Sequence, residues 1–395
     1  MKSVKNAHVL IIPSWYCTSD NPVHGSFFRD QSIAVHRQGV KTGVVYAELR
    51  TLQGTSPSEW FGRRYQIVEE DDDGVPTLRV IGWRIPLAKK TTRAFWVNLT
   101  QRLIQHYVRR YGVPDLIHAH CVHQAGVAAM EAKRSWRIPF VVTEHFSGYA
   151  RGIVTDEMLV QARAVLFDAD RIIAVSRKLA GDVRPYAGGR DIQIIPNVVD
   201  TGFFTLPAEP RRTDPFTFLF VGFLTPNKRV DVLLRAFVSL AKSNEALRLE
   251  IVGDGDHRPT LEALASQLGI ERRVSFLGLL DREGVRDAMW RANALVSASQ
   301  IETFGVVLVE AMATGLPVII TRCGGPEEIV TDSVGRLVSP DDPTELQKTM
   351  MDLASNYGHW LEAAPEIRTY AGSTFGEQTV GAKLIEMYNS VIQKA

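Results

Sequence analysis

Short apolar runs alternate with segments of helical periodicity along nearly the whole chain of 395 residues. This alternation is typical of parallel β-sheets covered by helices, because strands that are buried on both faces are continuously apolar. We therefore predict an α/β fold with two doubly wound parallel sheets. The predicted strands span residues 8–12, 42–46, 116–118, 140–143, 171–175 and 192–195 in the first half, and 216–221, 247–252, 274–277, 294–297 and 317–321 in the second.

The chain is too long for one ordinary hydrophobic core and fits two domains of roughly 150–200 residues each. Residues 205–215, TLPAEPRRTDP, combine three prolines with no apolar periodicity, which is typical of a linker. We predict one domain at residues 1–208 and a second at 209–375, with an amphipathic helix at 376–395 that completes the first. Two such sheets facing each other would border a cleft with the carboxyl ends of their strands, where a ligand is expected.

The composition argues against several classes of protein. A net charge of +1 speaks against nucleic-acid binding, which usually needs a strongly basic domain. The three cysteines are far apart and lack zinc-site spacing, which indicates free thiols in a reducing compartment. The apolar run at residues 9–13 is too short for a signal peptide, and no run approaches the ~18–20 apolar residues of a membrane span. We predict a cytoplasmic protein that is not integral to the membrane.

Three common motifs are missing from the sequence. No GxGxxG follows the first predicted strand, where the text is PSWYCTSDNPVHG, and this argues against a dehydrogenase. The sequence also lacks the GxxxxGK[ST] of a P-loop kinase and the GxSxG of a serine hydrolase.

The most informative stretch runs from residue 297 to residue 330 and contains Glu302 and Glu310. Residues 294–297 are a predicted strand, Gly305 permits a tight turn, and a helix is expected at 306–314, closed by Gly315. The start of that helix would direct unpaired N–H groups at a diphosphate. Glu302 could then reach sugar hydroxyls and Glu310 ribose hydroxyls. The alternative is a surface acid followed by an acid on a helix face.

A second segment, FVGFLTPNKRVDVLL at residues 220–234, places Lys228 after a strand and before a helix. That position suits a cation that neutralises phosphate charge. Without its surroundings, Lys228 would equally fit a solvated loop lysine.

The two segments described above belong to a longer series of motifs. The other motifs of the series are a glycine-bearing first loop at residues 21–27, TEH at 143–145, AVS at 174–176, IPNVVD at 195–200 and VGDGD at 252–256. Together they span residues 13–330, and the chain resembles the retaining glycosyltransferase family 4 (glycosyl transferases group 1). The resemblance implies the GT-B fold, with two Rossmann-like domains: an acceptor side in the first and a nucleotide-sugar site in the second.

The resemblance also implies roles for individual residues. His145 would hydrogen-bond the donor sugar near its reacting carbon, and Lys228 and Glu302 complete the predicted catalytic set. Asn197 of IPNVVD is expected to be structural, and His120 and Trp96 are acceptor-side candidates. The expected donor-binding residues are Gly25, Gly222, Lys228, Glu302, Phe304, Gly305, Val306, Val307 and Glu310.

The sequence departs from the family at Phe223, where an arginine usually follows the glycine and supplies a second phosphate cation. Arg229 is expected to point away from the phosphates. We expect no metal and no other cofactor: Asp254-Gly255-Asp256 has the DxD form but ends a strand. The acid run at residues 69–73 is predicted to be a solvated loop.

The histidines His118, His120 and His123 resemble a metal cluster, but no carboxylate or cysteine completes it. Cys121 lies among them, and its side chain should point the opposite way. A contact of His120 with donor or acceptor is the preferred interpretation.

Residues 82–110 carry seven basic residues and no acids, with aromatic residues between them. One interpretation is docking to an anionic membrane surface, at the inner face of the membrane. The other, equally weighted, is that the aromatic residues belong to the core and the cations to a solvated face. The basic residues are Arg84, Lys89, Lys90, Arg93, Arg102, Arg109 and Arg110, and the aromatic residues are Trp83, Phe95, Trp96 and Tyr107.

The function predicted from these features is transfer of a hexose from a UDP- or GDP-sugar to a glycan or glycolipid acceptor, in polysaccharide or glycoconjugate biosynthesis. One alternative is another GT-B enzyme, an epimerase or hydrolase, which would need an acid/base pair that the sequence does not reveal. The other is a non-catalytic sugar-nucleotide-binding subunit, which Phe223 favours.

Overall fold

The computed structural model describes residues 7–18, 23–50, 65–83 and 89–394. The chain divides into two compact units: unit 1 comprises Met1–Val198 and Glu377–Ala395, and unit 2 comprises Val199–Gly376. The division falls before the proline-rich segment, whereas the sequence analysis placed it at 208/209. The physical reason is that Arg368 donates to the backbone carbonyls of Thr201 and Phe204, at 3.0 and 2.8 Å, and so ties the residues just before that segment to unit 2.

Among the described residues, unit 1 contains a sheet in the order β3-β4-β2-β1-β5-β6-β7-β8, parallel except for the antiparallel pair β3 and β4. Helices connect most of the parallel strands. The strands are β1 His8–Pro13, β2 Lys41–Arg50, β3 Ile67–Asp72, β4 Val75–Trp83, β5 Leu116–His120, β6 Phe140–Glu144, β7 Arg171–Ala174 and β8 Ile192–Ile194, and the helices are α1 Ser26–Arg37, α2 Lys89–Tyr111, α3 Val127–Trp136, α4 Asp156–Asp168 and α5 Arg177–Val183.

Unit 2 contains a fully parallel sheet among its described residues, in the order β11-β10-β9-β12-β13-β14. Its strands are β9 Phe216–Val221, β10 Leu247–Val252, β11 Val274–Gly278, β12 Ala294–Ser297, β13 Val318–Thr321 and β14 Gly335–Val338, and its helices are α6 Val230–Ser243, α7 Arg258–Gln267, α8 Arg282–Arg291, α9 Val306–Ala313, α10 Pro343–Ser355 and α11 Tyr357–Phe375.

The predicted parallel strands are all present, which confirms the α/β fold with two parallel sheets. They were recognisable because β1, β5 and β6 are buried along their whole length. Three strands were missed. Strand β14 is short and only partly apolar, the acid run at residues 69–73, predicted as a loop, is largely β3, and β4 at Val75–Trp83 pairs with it. The Asp72 carboxylate there accepts hydrogen bonds from Arg29, Tyr16 and Thr77, so its charge is partly satisfied within the fold.

In each sheet the strand order reverses beside the first strand of the unit. Strand β1 lies between β2 and β5, and β9 lies between β10 and β12. At such a point the connections from two neighbouring strands run in opposite directions, which opens a crevice at the carboxyl ends of these strands. Ligands of doubly wound folds bind in this crevice. His120 ends β5 at this edge of unit 1, and the loops after β9 and β12 carry Lys228 and Glu302 in unit 2.

Helix α2 supports the core interpretation for the aromatic residues Trp96 and Tyr107 of the segment 82–110. Trp96 is only 2% exposed and donates from its indole nitrogen to the Ala47 carbonyl at 2.6 Å, and Leu99, Leu103 and Tyr107 are equally buried. The prediction that Trp96 contacts an acceptor is therefore wrong, because its ring fills the space between α2 and β2. Arg84 and the side chains of Lys89 and Lys90 lie outside the described residues. Within the part of the chain that is described, no helix is long and apolar enough to cross a bilayer.

The last helix, α12 Glu377–Ile392, belongs to unit 1 although unit 2 intervenes in the sequence. It packs against α1 through an apolar face that includes Val380, Leu384 and Tyr388. At its start, Nη1 of Arg37 in α1 donates to both oxygens of the Glu377 carboxylate, at 2.9 and 3.1 Å.

Truncation of Leu384 tests this packing. Leu384→Ala removes a side chain that is 1% exposed, so we expect the free energy of unfolding to fall by about 2–5 kcal/mol. The control is Lys383→Ala, at an exposed position of the same helix, which should change it by less than about 0.5 kcal/mol. Urea unfolding of both variants measures the difference, and equal effects would show that α12 is not part of the unit 1 core.

Candidate functional site

A strand, a turn and a helix surround Glu302, as predicted. After β12 the chain turns at Gly305, which has φ 96° and precedes the first residue of α9. A side chain at this φ would be strained, so glycine is favoured here. The helix ends in a second left-handed glycine, Gly315, with φ 74°.

The CGGP turn that follows β13 holds Glu302 in place. The Glu302 N–H donates to the Cys323 carbonyl at 3.0 Å, and the Gly325 N–H donates to the Glu302 carbonyl at 2.8 Å. A Cβ atom on Gly325 would lie 2.4 Å from the Thr303 carbonyl oxygen, a distance that backbone atoms cannot tolerate. The glycines of this turn therefore let two backbone segments approach closely enough to hydrogen-bond.

Lys228 is presented by a short 3-10 turn, Pro226–Lys228, that follows β9. Asn227 joins this turn to the Glu302 loop: its carbonyl accepts from Gln300 N at 2.9 Å, and its amide donates to the Ile301 carbonyl at 3.0 Å. Sequence reasoning missed this role of Asn227, because a loop residue that braces a distant loop leaves no periodic signal.

The two loops bring the Lys228 ammonium within 2.5 Å of the Glu302 carboxylate. Both side chains remain partly exposed, at 23% and 18%. The sequence analysis gave these residues separate roles, with phosphate for Lys228 and sugar for Glu302, and the structure shows that they are direct neighbours. A charged pair at the end of two parallel strands can bind an anion on the cationic side and hydroxyl groups on the anionic side.

Helix α9 starts four residues after Glu302. The first N–H groups of a helix have no partner within it and carry a partial positive charge, so Val306 and Val307 present donors suited to a phosphate. Glu310 lies one turn further, partly buried. The side chain of Phe304, an expected donor-binding residue, is only 3% exposed and packs against Phe375 with ring centroids 5.7 Å apart.

In the loop after β9, Phe223 occupies the position where the resembling family usually has an arginine. Phe223 is 40% exposed, and its neighbours are fixed by hydrogen bonds from Gly222 N to the Val252 carbonyl and from Leu224 N to the Asp254 carbonyl, at 3.0 and 2.9 Å. Arg229 forms ion pairs with Asp231 and Asp341. Its charge is thus used in these ion pairs, and Lys228 is the cation that lies beside Glu302.

The first aspartate of the DxD-like turn is bound by neighbouring residues of the chain. Asp254 accepts from Gly255 N at 2.7 Å and pairs with Arg258 at 3.1 Å, and these bonds lower the pKa of its carboxyl. Among residues 7–18, 23–50, 65–83 and 89–394, no group of three or more His, Cys, Asp or Glu side chains is arranged to hold a metal ion.

In unit 1, three predicted residues, His118, His120 and His145, lie close together near the carboxyl ends of β5 and β6. His120 Nδ1 is 3.0 Å from His145 Nε2. His118 is held between the Tyr388 hydroxyl and the Thr143 hydroxyl, both at 2.7 Å. His120 is 0% exposed and His145 6%, so the predicted contact of His120 with an acceptor is wrong for this structure: its ring is enclosed by neighbouring rings.

Burial keeps these histidines neutral. It lowers the pKa of His118 and of His145 to about 3, and that of His120 well below its usual value. A buried imidazolium without a carboxylate partner would be costly, so the rings act as neutral hydrogen-bonding groups at physiological pH.

Glu144, the middle residue of TEH, was given no role from the sequence. Its buried carboxylate accepts from His145 N and Phe146 N, at 2.7 and 2.8 Å, and from Val122 N at 3.1 Å. It therefore positions the His145 backbone and the loop after β5 together. The available sequence signal was the place of Glu144 in the TEH triplet, but the burial of its side chain depends on the sheet.

The first loop is described from residue 23 onward, so residues 21–22 lie outside the described part. Gly25 has φ 82° and precedes α1. A Cβ atom there would lie 3.0 Å from the Trp15 ring. The following Phe27 and Phe28 pack on His145, with ring centroids 5.4 and 4.9 Å away, so the loop and the histidine cluster form one packed group.

Two family models match the chain: that described as Glycosyltransferase Family 4 at residues 30–203, and that described as Glycosyl transferases group 1 at residues 204–371. The chain is 30% identical over 308 residues to a D-inositol 3-phosphate glycosyltransferase of Xylanimonas cellulosilytica, which covers 71% of this chain and 73% of that protein.

Solved structures agree in fold. A sucrose-phosphate synthase from Thermosynechococcus elongatus superimposes with a TM-score of 0.79 at 20% identity, over 98% of this chain and 100% of that one. Anabaena HepE in complex with UDP and glucose gives a TM-score of 0.73 at 21% identity, over 97% and 100%. The two parallel-sheet units, the two family models and the relative at 30% identity together establish that the chain belongs to glycosyltransferase family 4, the glycosyl transferases group 1, and is a glycosyltransferase with the GT-B fold.

Proposed function

We propose that the protein is a metal-independent, retaining hexosyltransferase that uses a UDP- or GDP-sugar. The observation that carries the proposal is the Lys228–Glu302 pair, 2.5 Å apart, close in sequence to the N-terminus of α9. It combines a cation for the diphosphate with a carboxylate for the sugar hydroxyls. Glu310, one turn into α9, is assigned to the ribose.

The chemistry requires stabilisation of the departing nucleoside diphosphate. As the bond between the anomeric carbon and the phosphate oxygen breaks, negative charge develops on the phosphate. Lys228 and the first N–H groups of α9, at Val306 and Val307, can balance that charge without a metal. Because Phe223 stands where the family usually has an arginine, we expect Lys228 to provide a larger part of the charge stabilisation on the phosphate.

Retention follows from same-face substitution. The acceptor hydroxyl oxygen bonds to the anomeric carbon on the face that the diphosphate leaves, and the hydroxyl proton passes to the departing phosphate oxygen. The proposal assigns His145 to this reaction near the donor sugar. Product stereochemistry measured by NMR should show the anomeric configuration of the donor, and an inverted product would contradict this mechanism.

The donor class is supported by the solved neighbour that binds UDP and glucose. A thermal-shift screen against UDP-glucose, GDP-mannose and ADP-glucose tests it. At a free donor concentration about 100 times Kd, binding stabilises the native state by about 2.7 kcal/mol. We expect a clear rise in Tm with a UDP- or GDP-sugar, unchanged by EDTA. Loss of the shift in EDTA would overturn metal independence, and no shift with any of the three would overturn the donor assignment.

Substitution of Lys228 tests whether this residue binds the diphosphate. Lys228→Ala should lower kcat/KM for donor turnover by about 10²–10³-fold, the cost of losing one preorganised group that stabilises transition-state charge. Lys242→Ala, at an exposed lysine of α6, is the matched control and should stay within about twofold. Equal activity of both variants would place the phosphate elsewhere. Donor binding by the wild type without turnover on any acceptor would favour a non-catalytic subunit.

The acceptor is proposed to be a glycan or a glycolipid. The relative named D-inositol 3-phosphate glycosyltransferase adds a phosphorylated cyclitol as a second acceptor class, so assays should include D-inositol 3-phosphate. A location at the inner face of the membrane now depends on exposed cations such as Arg102 and Arg109, since Trp96 and Tyr107 are core residues. Salt-sensitive flotation with anionic vesicles is expected if that location is correct, and its absence would exclude this surface.

A further inference from the structure

Helix α4 of unit 1 carries large apolar side chains on the side that faces away from its core. Phe167 is 80% exposed and Val160 66%, and Ile153, just before the helix, is 50% exposed. Among the residues that the structure describes in unit 1, Val113 is the one other large apolar side chain with comparable exposure. Contiguous apolar surface of this kind marks an interaction site, because monomeric proteins seldom leave it uncovered.

A groove of about 420 Å³ borders these side chains, between the second half of α4 and residues 184–188. Its wall consists of stacked side chains. The Tyr186 ring lies on Tyr149 with centroids 5.7 Å apart, and the Arg163 guanidinium lies 5.9 Å from the Tyr186 centroid. The groove is therefore built by unit 1 itself and can receive a side chain without rearrangement.

The backbone of Phe167 is fixed although its ring is exposed. Arg190 Nη1 donates to the carbonyls of Leu166 and Phe167, at 2.7 and 2.8 Å. On the opposite side of the helix, Val165 and Leu166 are buried in the core. The exposed ring therefore belongs to a helix end that is anchored on two sides, and it forms a rigid ridge beside the groove.

We propose that this α4 surface, formed by Ile153, Val160, Phe167 and the groove, is an interface between two copies of the chain. The two α4 helices pack antiparallel about a two-fold axis at Val160. Such an axis places each residue opposite the residue of the second copy that lies equally far from the axis on the other side. The inference goes beyond the proposed function and does not depend on the donor or the acceptor.

The apolar side chains agree with this axis. Ile153 and Phe167 are each seven residues from Val160 in the sequence, so the Ile153 side chain of one copy comes to the Phe167 end of the other. The groove beside Phe167 can then receive Ile153 of the second copy, and the two Val160 side chains meet at the axis. One arrangement thus covers all three exposed apolar side chains.

The charges select the same axis independently. Glu157 and Arg163 are each three residues from Val160, so Glu157 of each copy lies opposite Arg163 of the other. A parallel pair of helices, or an axis one turn further at Ala164, would instead bring the two Arg163 side chains together. Glu157 has an ion pair with Arg93 at 3.6 Å in its own chain but is 49% exposed, so its carboxylate can bind a second cation.

The same charges argue against a lipid surface as the occupant. Asp156 and Glu157 lie in the first turn of α4, and both are exposed. An anionic membrane would repel these carboxylates, whereas Arg163 of a second copy is attracted by them. A flat membrane would also leave the groove unfilled. The surface therefore fits a second copy of the chain better than it fits a membrane.

The first test is the oligomeric state of the full chain. One helix and one groove per copy form a small interface, below about 1,200 Å² in total, so we expect a dimer that dissociates on dilution. Sedimentation velocity between about 1 and 100 μM should show this equilibrium. Val160→Glu puts two carboxylates at the axis and should raise the dimer Kd at least about tenfold. Val113→Glu, at an exposed position away from α4, is the matched control and should leave Kd unchanged.

A wild-type protein that stays monomeric over this range would overturn the proposal, and so would equal dimerisation by the two variants. Loss of vesicle flotation in Phe167→Ser, with a wild type that remains monomeric, would show that the surface docks on lipid and that the proposal is wrong. None of these measurements uses donor turnover, so they are independent of the proposed function.

The second test examines the position of the axis. Two Val160→Cys chains should form a disulfide with each other on mild oxidation, because Cα atoms that face each other at the axis can come within about 4.4–6.8 Å. Val113→Cys, with the same native cysteines, should remain uncrosslinked on a non-reducing gel. Equal crosslinking of both variants, or none, would contradict an axis at Val160.

Charge reversal tests the predicted ion pairs. Glu157→Arg alone and Arg163→Glu alone should each weaken the dimer about tenfold, since two attractive pairs become repulsive. The double variant restores opposite charges between the copies and should return to within about threefold of the wild-type Kd. A double variant that is as weak as the sum of the single variants would show that Glu157 and Arg163 do not meet across the interface.

Discussion

Parallel strands buried on both faces end at the same edge of their sheet, and the candidate site depends on this constraint. In unit 2 it places the loops after β9 and β12 side by side, so Lys228 and Glu302 meet at 2.5 Å although 74 positions separate them in the sequence. In unit 1 it places His120 at the end of β5 beside His145, which follows β6. Neither pair could form if a strand were reversed, because its loop would then leave from the opposite edge.

The two groups differ in their electrostatics. The Lys228–Glu302 pair is partly exposed, so each charge stays hydrated and can exchange its partner for a ligand at low cost. The histidine cluster is buried and neutral, with its pKa values lowered by loss of solvation. Its best-fixed ring is His118, which would lose its hydrogen bonds to Tyr388 and Thr143 if it turned. The first arrangement suits binding of a diphosphate, and the second suits precise placement of a neutral group.

The parts of the fold that were predictable have strong local signals. The central strands are apolar throughout, Gly305 and Gly315 mark the ends of α9, and the motifs around Lys228 and Glu302 are continuous. The errors arose where the environment of a side chain is set by residues that are distant in the sequence. Trp96 was left open between a surface and the core, and its ring fills the space between α2 and β2. The acid run at residues 69–73 is largely strand because it pairs antiparallel with β4.

The order of motifs along the chain therefore identified the α/β class, the family resemblance and the residue types of the candidate site, since those depend on neighbours in sequence. Tertiary structure alone decided how those residues pair. The contact of Lys228 with Glu302, the brace from Asn227, the Glu144 carboxylate beneath the His145 backbone and the contact between the rings of His145 and His120 all depend on segments that are far apart in the chain. Their geometry is determined by strand order and by burial, neither of which a local sequence pattern encodes.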